Sequence, residues 1–120
     1  MIYALIVTVV LAFKVVWDYI AKTNGRIINH SRSALIDVGI YIFAASLLMY
    51  PNWLYIAGAV VLACGYRWIA FDILFNLANK DKWNHYGTSS KLDLLMTKAG
   101  KYHILIKAVP IAIGLTLCLV

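Results

Sequence analysis

Apolar residues dominate the chain from about Tyr3 to Ile20, interrupted only by Lys14 and Asp18, before the polar stretch AKTNGRIINHSRS. An uncharged run of 29 residues follows from Val38 to Tyr66, and Pro51 and Asn52 divide it. A Pro-Asn pair between two apolar arms reads as a tight turn. The run therefore predicts a helical hairpin, with one helix over about 33–50, capped by Ser33, and the next over about 53–78. The chain then turns polar through NKDKWNHYGTSSKLDLLMTKAGK, and a last apolar segment occupies about 102–120, where Pro110 is expected to introduce a kink.

Inside the polar stretch, Ser90 and Asp93 have the spacing of a capping box. Leu92, Leu95, Met96 and Ala99 follow at i, i+3, i+4 and i+7, one stripe of a helix, and Gly100 is a natural stop. This pattern predicts a short amphipathic helix over about 91–99, lying in a membrane interface. The expected fold is all-α: a single domain, 1–120, built as a membrane bundle of four transmembrane helices (about 3–20, 33–50, 53–78 and 102–120) plus the interfacial helix.

Composition strengthens the membrane assignment. Hydrophobic residues make up 63% of the chain and charged residues 13%, and the mean hydropathy is +0.81. These values lie far from soluble-domain averages. A spanning helix needs about 20 apolar residues, so three or four passes fill the chain and leave no room for a soluble domain. A cleaved signal peptide is disfavoured, because the first apolar segment lacks a positive leading region and carries Lys14 and Asp18 near its end.

Charge sets the expected orientation. The first loop carries Lys22, Arg26 and Arg32, while the third carries five lysines and two aspartates. Each loop has a net charge of +3, and together they account for the whole +6. The positive-inside rule places loops 21–33 and 79–101 in the cytoplasm and both termini outside, as expected of a bacterial inner-membrane protein. The uncharged turn between, flanked by Tyr50, Trp53 and Tyr55, reads as an outer aromatic belt.

Six charges remain inside the predicted spans: Lys14, Asp18, Asp37, Arg67, Asp72 and Lys107. Asp37 lies 13 residues before Tyr50 and Arg67 lies 14 after Trp53, so both sit roughly 20 Å from the hairpin turn. Equal depth in antiparallel helices predicts an Asp37–Arg67 ion pair. Lys14 and Asp18 are spaced i, i+4 and can pair with each other. Asp72 shares a stripe with Trp68, Asn76 and Asn79, while Arg67 points roughly 140° away around the helix. Lys107 reaches a similar depth to Asp72 if their helices are neighbours. The tally is neutral, which points to a structural layer that sets helix register. The competing reading is a water-filled entrance centred on Asp72 and Asn76, since ionisable residues in spans are functional candidates.

The other chemistry-bearing residues form weaker patterns. His30, His85 and His103 lack ligand spacing, so no metal is expected. Cys64 and Cys118 have no CxxC pattern and read as buried thiols. The segment YGTSSK, residues 86–91, lacks the full phosphate-loop pattern, and the serines near His30 and His85 form no nucleophile motif. Lys82, Trp83, Tyr86 and Lys91 are candidate contacts to anionic lipid headgroups. Neither a cofactor nor nucleic acid is expected.

Three function classes follow, in this order: a self-associating structural or assembly subunit; an ion or proton pathway centred on Asp72 and Asn76; and a membrane enzyme or binder acting on lipid headgroups at the basic face. Gly39, Ala44, Ala45, Gly58, Ala59, Ala63 and Gly65 supply the small side chains that close helix approach requires.

Overall fold

The computed structural model describes residues 1–28, 30–80 and 91–120, with the side chains of 30, 31 and 91–93 set aside. Its elements are α1 (Ile2–Thr23), α2 (His30–Met49), α3 (Trp53–Ala78), α4 (Lys91–Ala99) and α5 (His103–Leu119), with a 3-10 turn at Gly100–Tyr102. Every regular element among the described residues is helical. Four stretches are long and apolar enough to cross a membrane: Ile2–Thr23, Arg32–Met49, Trp53–Ala78 and Leu94–Leu119. The last of these begins inside α4, so apolar length continues through the 3-10 turn into α5.

Local chemistry explains the boundaries. α1 ends in a Schellman arrangement: Gly25 takes φ 68°, its N–H donates to the Lys22 carbonyl, and the Arg26 N–H donates to the Ala21 carbonyl. The left-handed conformation needed there suits glycine. α2 begins at His30, three residues before the apolar pattern suggests, so Ser33 lies within its first turn and is not the cap. Backbone hydrogen bonding continues through polar residues, so a helix can outrun its apolar face. Asn52 caps α3, its side-chain oxygen accepting from the Tyr55 N–H at 3.0 Å. Gly100, at φ 56°, follows the last residue of α4.

α3 is the central helix. It packs against α1 and α2 on one side and most extensively against α5 on the other; among the described residues α5 makes no close backbone approach to α1 or α2. α1 and α2 meet each other more sparsely than either meets α3. The core between α1, α2 and α3 is built on Val7, Tyr41 and Ala63, with Tyr3, Val10 and Cys64 packed around them. Outside, the helices present large apolar side chains such as Leu5, Phe13, Leu35, Phe43 and Leu105. Continuous apolar exposure on this scale marks a surface made to be covered.

The α3–α5 contact is a glycine seam. A Cβ at Gly58 would lie 2.9 Å from the backbone nitrogen of Cys118, and one at Gly65 would lie 2.8 Å from Ile111. From the facing side, a Cβ at Gly114 would lie 2.5 Å from the Leu62 backbone nitrogen. Only residues without a side chain allow this approach. Pro110 lies inside α5, packed near Gly65. Gly39, by contrast, faces open space.

Candidate functional site

The six charges inside the spans form three pairs, one within a helix and two between helices. The Arg67 Nε donates to Asp37 Oδ2 at 2.6 Å, joining α2 to α3. Both side chains are largely buried, at 15% and 7% exposure. Lys14 donates to Asp18 one turn along α1, and both residues are buried. Lys107 donates to Asp72, joining α5 to α3, with the lysine side chain 4% exposed and the carboxylate 26% exposed. α3 supplies a charge to both interhelical pairs because it has neighbours on two sides.

Aromatic rings tie these pairs together. Phe71 meets two cations, with Arg67 5.4 Å and Lys14 5.8 Å from its ring centroid. Phe71 also stacks on Phe75 at 5.3 Å, and Lys22 lies 5.5 Å from the Phe75 centroid. On the α5 side, Lys107 lies 5.6 Å over Trp68. α3 therefore carries two working stripes. Arg67, Phe71 and Phe75 serve α1 and α2, while Trp68 and Asp72 serve α5. Each stripe has the i, i+4 spacing that puts side chains on one face.

Compensation is nearly complete. A cation over an aromatic face gains about 0.5–2 kcal/mol depending on its desolvation, and each carboxylate of the layer accepts from a cation. The exceptions among the described residues are Asp18 Oδ2 and the Tyr41 hydroxyl, which are buried without a hydrogen-bond partner. Asn76 is buried one turn beyond Asp72 on α3. His103 is buried one turn before Lys107 on α5. No group of three or more potential metal ligands comes together among the described residues. Cys64 and Cys118 are both free thiols.

The candidate headgroup contacts Lys82, Trp83 and Tyr86 lie outside the described residues, as do His85 and the side chain of Lys91. The sequence reading also missed Phe71 as the shared ring. Its signal was present, since Phe71 and Phe75 fall at i+4 and i+8 from Arg67. In a helix apolar on every side, that spacing alone does not say which face meets protein. Comparison with protein-family models, curated proteins and solved structures gives no match.

Proposed function

We propose that the chain is a small integral membrane protein, a self-associating structural or assembly subunit in which α1, α2, α3 and α5 span a bacterial inner membrane. In this reading loops 21–33 and 79–101 are cytoplasmic and the paired-charge layer lies toward that side. α4 rests in the interface, with Met96 buried against the bundle and Leu94 and Leu95 exposed to lipid. The observation that carries the proposal is the closure of the layer: Asp18, Asp37 and Asp72 each pair with a cation of the same chain. Closed pairs suit the fixing of register and partner choice better than the exchange of ions with water. The extensive apolar surface left by the single chain is available for lipid and for further copies.

A second reading, an ion or proton pathway, draws on one feature. Asp72 is the most exposed carboxylate of the layer and lies one turn from Asn76. Counting photobleaching steps of the labelled chain in lipid bilayers separates the readings, alongside proton flux into dye-loaded vesicles. A defined oligomer that survives dilution in lipid, without flux, is expected. Monomers at every dilution would refute self-association, and flux abolished by Asp72→Asn would favour the pathway. Orientation is checked by labelling cysteines placed at Asn24 and Thr88 in a Cys64→Ala/Cys118→Ala background. Protection of both from an impermeant outside reagent is expected, and labelling of either in intact cells would overturn the topology.

A further inference from the structure

A cavity of about 780 Å³ opens between α1 and α2, floored by the polar layer and reaching Arg26, Ile27 and Ile28 after α1. This is the upper part of the roughly 300–1,000 Å³ range of small-molecule sites. Its α1 wall runs from Val9 to Ala21, about 18 Å of helix, slightly more than one leaflet of a hydrocarbon core about 30 Å thick. Val9, Phe13, Trp17, Ile36 and Ile40 make the apolar walls, and all five are exposed in the single chain. The groove is thus open rather than enclosed. Its polar lining is graded by depth: Lys14, Asp18 and Asp37 lie deep inside, and Arg26 and Arg32 stand at the end near the connection.

We propose that this groove binds one anionic phospholipid, an acyl chain lying along the α1 wall and the phosphate held between Arg26 and Arg32. Three observations select this occupant. The apolar length matches one leaflet, which a free anion would not use. The walls are apolar residues exposed in the single chain, the kind of surface that lipid covers, so the ligand enters from the membrane. The lining carries three cations against two acids, and the excess lies at the mouth, where a headgroup phosphate would sit. Arginine suits the role because its fork meets two phosphate oxygens together. The site rests on the proposal that α1 and α2 span the membrane.

Trp17 lines the groove and serves as its reporter. The full chain is reconstituted in phosphatidylcholine vesicles containing an equal minor fraction of brominated phosphatidylglycerol or brominated phosphatidylcholine. Trp17 quenching is taken as the difference between wild type and Trp17→Phe. Stronger quenching by the anionic lipid is expected, unaffected by excess inorganic phosphate. The preference should fall roughly fivefold for each of Arg26→Gln and Arg32→Gln. Lys98→Gln/Lys101→Gln, which removes two cations outside the groove, should leave it intact. Equal quenching by both lipids would overturn the anionic preference, as would an equal loss in the lysine variant. Displacement by phosphate would instead identify a plain anion site and overturn the lipid assignment. Absence of quenching by either lipid would overturn the membrane placement of α1 itself, and the groove's ligand with it.

Discussion

Gly114→Ala adds one carbon at the tightest point between α3 and α5. The new Cβ would lie 2.5 Å from the Leu62 nitrogen and 2.8 Å from both the Gly58 carbonyl oxygen and the Leu62 Cα. All three are backbone atoms, so no rotamer change relieves the clash. Restoring an ordinary contact of 3.4 Å from 2.5 Å requires the helices to part by about 0.9 Å. A gap of that size forfeits roughly a quarter to a half of the dispersion energy of each atom pair across the seam. Overpacking of this kind costs about 1–3 kcal/mol. Gly39→Ala is the control, because its Cβ meets nothing within 4 Å and both variants share the gain in helix propensity of about 1 kcal/mol. Reversible unfolding by sodium dodecyl sulfate in mixed micelles measures the difference. Trp68 fluorescence, isolated by comparison with Trp68→Phe, reports the α3–α5 interface because the ring lies beneath Lys107. Equal midpoints for Gly114→Ala and Gly39→Ala would refute the glycine seam.

Three further outcomes follow from the charge layer, each read by the same titration. Asp37→Leu or Arg67→Met alone should cost about 3–5 kcal/mol by stranding the buried partner, while the double variant should lose far less than the sum; additive losses would refute the pairing. Asp72→Asn should weaken the α3–α5 interface, with partial rescue by Lys107→Met, and unchanged stability would show that the contact contributes nothing to folding. Phe71→Leu keeps apolar bulk but removes the ring met by Lys14 and Arg67, so a loss of about 1–3 kcal/mol is expected from two cation–π contacts; a change within 0.5 kcal/mol, the usual scatter of neutral substitutions, would refute their contribution.

What the sequence made legible was local or metric. The four apolar stretches, the turn at Tyr50–Asn52 and the stop at Gly100 are properties of short segments; helices occupy the four stretches, α2 and α3 flank the turn, and α4 ends at Ala99. The level of Asp37 and Arg67 could be counted in residues from one turn because a tight turn leaves little freedom in register. Lys107 and Asp72 were harder, since their contact depends on α5 choosing α3 as its neighbour. That choice is hidden in composition: lipid-facing and protein-facing sides are both apolar, so no periodic contrast separates them. Gly114 escaped for the same reason, as a lone glycine in α5 whose partners lie on another helix. The α1–α2 groove escaped because its lining comes from two helices and exists only in their packing.

Two devices of different kind hold α3 to its neighbours, and their distribution explains where the molecule is tight and where it opens. Between helices in lipid there is little hydrophobic driving force, so close packing and polar pairs must supply the specificity. Toward α5, α3 uses both: Gly58 and Gly65 allow contact along one stretch, and the Asp72–Lys107 pair fixes the register beyond it. Toward α1 and α2 it uses charge and rings, through Arg67 and Phe71, with no comparable glycine seam. α1 contains no glycine, and the one glycine of α2, Gly39, meets nothing. Among the described residues α1 and α2 meet through the Tyr3 hydroxyl, which donates to the Tyr41 carbonyl at 3.4 Å, and through Val7 and Tyr41 in the core, and the groove runs from there toward their connection. The groove opens where that joint ends and neither helix offers the other a glycine, and a Gly39 variant that closes it would show that α2 has a second stable position.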